Sequence, residues 1–128
     1  LVIEDDAEIR DFLCRALRTL GYDVAAAEHG TAAVALYERG FVPDVVVTDI
    51  EMPHMSGIEL AQWIRGREPG FPVVFTSGYT SQDDGIEPES GPSTAFIAKP
   101  FQPSQVALAI RQVLAAAAEL CYNTQPQL

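Results

Sequence analysis

The sequence predicts an α/β fold, a parallel sheet with helices on both faces. Two observations predict it. Short apolar runs of strand length alternate with segments whose apolar residues recur at helical spacing. Four of those runs also end in polar residues of complementary kinds. Leu1-Val2-Ile3 leads into Glu4-Asp5-Asp6, and Val45-Val46-Val47-Thr48 into Asp49. Val73-Val74-Phe75-Thr76 leads into Ser77, and Ala95-Phe96-Ile97-Ala98 into Lys99-Pro100. In parallel strands these carboxyl ends lie side by side, at the edge where open α/β sheets build their sites.

The elements follow in order. After the first strand, Ile9, Phe12, Leu13, Ala16, Leu17 and Leu20 form the apolar stripe of helix one, with Gly21 as its stop. Cys14 falls off that stripe and is expected near the surface. Asp23 to Ala27 reads as strand two. Thr31 to Arg39 reads as helix two, stopped by Gly40. Pro43 precedes strand three. Ser56-Gly57-Ile58-Glu59 has the form of a capping box, so helix three starts there and runs to about Arg67, before Pro69-Gly70. Pro72 leads into strand four. Pro103 suits the first turn of the last helix, whose stripe is Val106, Ala109, Ile110, Val113, Leu114 and Ala117. The polar residues after Cys121 read as a frayed tail or the start of a linker, which divides the chain into a domain over 1–121 and a tail over 122–128.

One segment breaks the pattern. Thr80 to Thr94 should hold helix four, yet it contains Gly85, Pro88, Gly91 and Pro92. Interior Gly costs about 1 kcal/mol and interior Pro about 3 kcal/mol in a helix. A short or irregular fourth helix is expected, with Ile86 its only large aliphatic residue.

Composition narrows the function. A chain of 128 residues fits one domain, and 48% hydrophobic with 20% charged residues is ordinary globular composition. A net charge of −10 argues against direct nucleic-acid binding, which needs a basic footprint. No apolar run reaches membrane-spanning length, and no secretory leader opens the chain. Cys14 and Cys121 have no metal-ligand spacing and read as free thiols of a cytoplasmic protein. The chain opens directly on its first strand and is read as a fragment.

The polar strand ends suit a divalent cation and a phosphoryl group. Crowded carboxylates repel one another, a hard cation relieves the repulsion, and no His–Cys cluster competes for zinc. A carboxylate such as Asp49 can attack phosphorus and form an acyl phosphate. Alternation turns Thr76 away from the edge and leaves Ser77 as the hydroxyl there.

The order and spacing of these four motifs resemble the receiver domain of bacterial two-component response regulators, over nearly the whole chain. Asp49-Ile50-Glu51-Met52-Pro53 followed by Gly57 is similar to that family's signature loop. The resemblance implies a flavodoxin-like (βα)5 fold, a doubly wound five-stranded parallel sheet of order 2-1-3-4-5. It implies Asp49 as phosphoacceptor, with Ser77 and Lys99 contacting the incoming phosphoryl group. It implies Mg2+, with Mn2+ as a substitute, on Glu4, Asp5, Asp49 and the Glu51 backbone carbonyl. Asp6 then lies outside the metal set and caps helix one. Ser77 and Phe96 take the switch positions, and Lys99-Pro100 the family's cis peptide bond. The implied phosphodonor is a phosphohistidine on a sensor histidine kinase or histidine phosphotransfer protein. A homodimer through the fourth helix, fifth strand and fifth helix is left open.

His29 and His54 match no functional position and read as surface or loop residues. Trp63 reads as core-facing or groove-lining. Phe75-Thr76-Ser77-Gly78-Tyr79 is similar to the fourth-strand segment of receivers in hybrid histidine kinases, and Tyr79 stands where it could shade Asp49 from water. Two other functions are weighed. A haloacid-dehalogenase-type phosphatase also uses Mg2+ and a phospho-aspartate, but it usually carries Asp-x-Asp, whereas this chain has Asp49-Ile50-Glu51, and it needs a cap for which there is no room. A degenerate receiver acting only as a binding module would not need every phosphorylation position filled. The expected role is therefore signalling rather than enzymatic turnover.

Overall fold

The computed structural model describes residues 1–78 and 91–124, excepting the side chains of 120–124. Five strands and four helices occur among them: β1 (Val2–Ile3), α1 (Ala7–Thr19), β2 (Ala26–Ala27), α2 (Gly30–Glu38), β3 (Val46–Asp49), α3 (Gly57–Arg67), β4 (Val73–Ser77), β5 (Thr94–Ala98) and α4 (Pro103–Thr124). The strands form one sheet of order β2-β1-β3-β4-β5, and all pairs are parallel. This is the expected fold and strand order. The expected irregular fourth helix falls mostly on residues 79–90, outside the described residues. So does Tyr79.

The sheet separates two apolar layers, as a sheet buried on both faces requires. Ile3, Val46, Val73 and Phe75 pack with Ala33 of α2 and with Leu60 and Ile64 of α3. Val2, Val47, Val74 and Ile97 pack with Leu13 and Leu17 of α1 and with Val106, Ile110 and Val113 of α4. The central strands read as unbroken apolar runs because both faces are covered.

Local chemistry sets the helix ends. The Asp6 carboxylate accepts from the N–H groups of Glu8 at 2.9 Å and Ile9 at 3.2 Å, the expected cap of α1. The Ser56 hydroxyl accepts from the Glu59 N–H at 3.1 Å and starts α3. Gly21 and Gly40 both take φ of +96°, just past α1 and α2, where a side chain would be strained.

Three expectations need correction. Cys14 is buried, whereas Phe12 and Leu20 are exposed. The inward arc of α1 is centred on Leu13, Cys14 and Leu17, spaced i, i+1 and i+4, so it is rotated from the stripe read in the sequence. Periodicity tolerated both placements, and packing on α4 and the sheet chose one. Strand two is two residues rather than five. Helix α4 continues through Thr124, three residues into the expected tail. The alanine run Ala115 to Ala118 has high helix propensity, and no Gly or Pro intervenes before Pro126. His29 is an exposed loop residue as expected, and it also caps α2: its Nδ1 accepts from the Ala32 N–H at 3.1 Å.

Candidate functional site at the carboxyl edge of the sheet

The site forms because β1, β3, β4 and β5 stop at nearly the same level. Asp49 pairs with Thr76 across β3 and β4, and Ser77 pairs with Ala98 across β4 and β5. The Lys99 N–H donates to the Ser77 carbonyl at 2.8 Å and carries the alignment one residue beyond β5. The Lys99-Pro100 peptide is cis.

Glu4 follows β1 directly and is 1% exposed. The Arg10 guanidinium donates to its backbone carbonyl at 2.9 Å, and its side chain accepts from the Asp6 N–H at 3.2 Å. Asp6 is occupied as a helix cap, so Asp5 is the neighbour that joins Glu4. Carboxylate oxygens of Glu4, Asp5 and Asp49 all lie within 4.8 Å of one another. Asp5 is exposed, whereas Asp49 is 4% exposed.

Among the described residues, one ammonium reaches into this cluster. The Lys99 ammonium lies 3.0 Å from Glu4 Oε2 and 3.0 Å from Asp49 Oδ2. The Asp49 carboxyl is pushed up to about 7, first by burial and then by the Glu4 charge, with the Lys99 hydrogen bond pulling the other way. Burial by itself would lower the Lys99 pKa, but its hydrogen bonds to Asp49 and Glu4 outweigh that and raise it. Three carboxyl groups crowded around one ammonium present oxygen-only ligands, which fit a hard divalent cation.

The hydroxyl is on β4. Thr76 is 1% exposed and turned inward, while Ser77 is half-buried at the edge. The Ser77 hydroxyl donates to Glu51 Oε1 at 2.5 Å, and the Gly78 N–H donates to Glu51 Oε2 at 3.4 Å. The Glu51 N–H in turn donates to Asp49 Oδ1 at 3.2 Å. Sequence reasoning assigned Glu51 only a backbone carbonyl and missed its side chain. No signal in the sequence revealed it, because the bridge from the β3–α3 loop to β4 exists only in the folded chain.

Two further groups hold Asp49. The Thr48 hydroxyl, fully buried, donates to the Asp49 carbonyl at 3.0 Å. Gly57 packs so closely that a Cβ there would stand 2.2 Å from the same carbonyl oxygen. Phe96 lies opposite Phe75 in the register and stacks on it at 5.3 Å between ring centroids. Phe75 is buried, and Phe96 is 47% exposed. Trp63 is half-buried away from the cluster, edge-on to Tyr37 and covered by the Arg67 guanidinium. His54 sits in the loop after β3 with a φ of +69° and carries no contact to the acidic cluster among those described.

Comparison with known proteins places this arrangement. The probable transcriptional regulatory protein TcrX of Mycobacterium tuberculosis is 32% identical over 89% of this chain and 48% of its own length. The chain thus spans about half the length of that relative. The chemotaxis protein CheY of Thermotoga maritima is 36% identical over 88% of this chain and 94% of its own. Among solved structures, a response regulator receiver protein from Sinorhizobium medicae superposes with a TM-score of 0.79 at 28% identity, covering 91% of this chain and 93% of its own. The profile of the family described as the response regulator receiver domain matches residues 1–111, and the chain belongs to that family.

Proposed function

We propose that the domain accepts a phosphoryl group on Asp49 from a phosphohistidine and uses the modification to change a partner-binding surface. The observation that carries this reading is the Lys99 ammonium shared between the buried acids Glu4 and Asp49, beside a strand-end hydroxyl. Receiver domains are signalling modules rather than classical enzymes, and the reaction proposed is a single stoichiometric modification.

An Asp49 oxygen attacks phosphorus. The new P–O bond forms as the P–N bond to the histidine breaks, and the imidazole leaves with that electron pair. The Asp49 carboxyl must be ionised to attack, and Lys99 favours that form, offsetting part of the cost of burial. Lys99 can follow the negative charge from the carboxylate to a phosphoryl oxygen, and the Ser77 hydroxyl donates to another. Glu4, Asp5, Asp49 and the Glu51 backbone carbonyl would hold Mg2+, or Mn2+ in its place. When bound, that ion neutralises charge on the phosphoryl oxygens. Phosphorylation then biases a pre-existing equilibrium at Ser77 and Phe96 rather than building a new fold.

The donor would be a sensor histidine kinase or a histidine phosphotransfer protein, and the setting the cytoplasm. Among the described residues no helix is long and apolar enough to cross a membrane. A net charge of −10 opposes nucleic-acid binding by this domain. A second copy remains a candidate partner, since β5 exposes Phe96 and α4 exposes Leu108. The domain is assigned to residues 1–121, with α4 running three residues beyond that boundary.

Incubation with a small phosphodonor and Mg2+, followed by intact mass, tests the reading. The wild type should gain one phosphoryl group and Asp49→Asn none. His29→Gln and His54→Gln should label normally. No labelling of the wild type would leave a binding module, and labelling of Asp49→Asn would move the acceptor elsewhere.

A further inference from the structure

We propose that the Glu51 side chain closes the phosphoryl site of the unmodified protein, its carboxylate standing in for the group that Asp49 is to receive. The proposal rests on the receiver reading above and adds a gate to it. One carboxylate oxygen takes the Ser77 hydroxyl at 2.5 Å, and the other faces the Gly78 N–H at 3.4 Å. These are donors on consecutive residues at the end of β4, the strand that pairs with β3 and its terminal Asp49. They are the kind of pre-aligned donor pair that stabilises oxyanions. Glu51 belongs to the same turn that grips the acceptor, because its own N–H holds Asp49 Oδ1. Its side chain therefore links the turn that holds the acceptor to Ser77 and Gly78 at the end of β4.

Three consequences oppose entry of a phosphoryl group. The charge-assisted bond from Ser77 must break, the Gly78 N–H must be released, and a carboxylate must face an incoming anion at close range. Each acts in the same direction, so removing the carboxylate should speed phosphorylation. A glutamine keeps the length and one acceptor oxygen but loses the charge, and should fall between. Once Asp49 is modified, like-charge repulsion expels the Glu51 carboxylate and frees both donors for the phosphoryl oxygens. The bridge thus marks the unmodified state.

Initial rates of mass gain with phosphoramidate and Mg2+ test the gate on the wild type, Glu51→Gln and Glu51→Ala, with Asp49→Asn as background. In that reaction an Asp49 oxygen displaces nitrogen from phosphorus, and the nitrogen leaves as ammonia. Glu51→Ala should label roughly tenfold faster than the wild type, equivalent to about 1.4 kcal/mol of barrier, and Glu51→Gln should be intermediate. An unchanged or slower rate for a folded Glu51→Ala overturns the gate while leaving the receiver reading intact. A second arm needs no chemistry at Asp49: titration with inorganic phosphate, followed by the backbone amide resonances of Ser77 and Gly78. They should move at lower phosphate in Glu51→Ala than in the wild type. If no variant labels, the receiver reading falls and this titration alone judges the gate, with equal midpoints overturning it.

Discussion

The Lys99 ammonium lies 3.0 Å from Asp49 Oδ2, joining residues fifty positions apart at the ends of two strands that are not neighbours. The same nitrogen lies 3.0 Å from Glu4 Oε2. Lys99 therefore offsets part of the negative charge of the acidic cluster from within, as a bound cation would. A resident ammonium and a divalent ion then compete for the same oxygens, and that competition is measurable.

Lys99→Ala should lose about 2 kcal/mol of stability without divalent ions, because it leaves two buried acids unpaired. Mg2+ should restore more stability to this variant than it adds to the wild type, while labelling at Asp49 stays impaired. Melting curves with EDTA and with Mg2+ check this. A smaller Mg2+ shift in the variant would mean that Lys99 shapes the cation site rather than competing for it.

Asp5 is the exposed member of the cluster, so its replacement should spare the fold and weaken the ion. About 10 mM Mg2+ on a site of roughly 1 mM affinity stabilises the wild type by about 1.4 kcal/mol. Asp5→Asn should erase most of that shift and slow labelling in parallel. Equal Mg2+ shifts in both proteins would place the ion elsewhere.

The pH dependence of stability has a definite sign at Asp49. Its carboxyl ionises near 3.8 when unperturbed and near 7 in the fold. Between these values the unfolded chain releases a proton that the native state keeps. This group therefore lowers stability as pH rises through the window, and its penalty is complete above about 7. In EDTA, the melting temperature of Asp49→Asn relative to the wild type should climb from pH 4 to 7 and then level off, by about 4 °C for each kcal/mol involved. Lys99 keeps Glu4 as a partner in this variant, so no orphaned charge obscures the comparison. A difference independent of pH would show that Asp49 stays ionised throughout.

Two glycines of α3 should respond oppositely to alanine. A Cβ at Gly57 would meet the Asp49 carbonyl oxygen at 2.2 Å and the Thr48 hydroxyl at 3.1 Å. Gly57→Ala should cost about 3 kcal/mol and displace the acceptor, reducing labelling as well. A Cβ at Gly66 would meet nothing within 4 Å, and Gly66→Ala should stabilise by about 0.5–1 kcal/mol through helix propensity. Denaturant melts of both variants check the pair.

Much of this protein was determined by sequence alone. Apolar runs interrupted by helical periodicity required a covered parallel sheet, and Asp6 and Ser56 announced two helix starts through short-range hydrogen bonding. Such features are legible because they depend on neighbours within a turn. The strand-end residues Glu4, Asp5, Asp49, Ser77 and Lys99 were legible for a related reason: a parallel sheet brings strand ends to one edge whatever the loops do. Tertiary structure decided what periodicity left degenerate. Helix α1 could have turned Phe12 or Cys14 inward, and contact with α4 and the sheet chose Cys14. It also decided which partners the charged groups take. Lys99 reaches Glu4 across 95 positions, and Glu51 reaches Ser77 across 26. Those pairings, and the burial that pushes Asp49 up to about 7, depend on distances and solvent exclusion that exist only after the strands align.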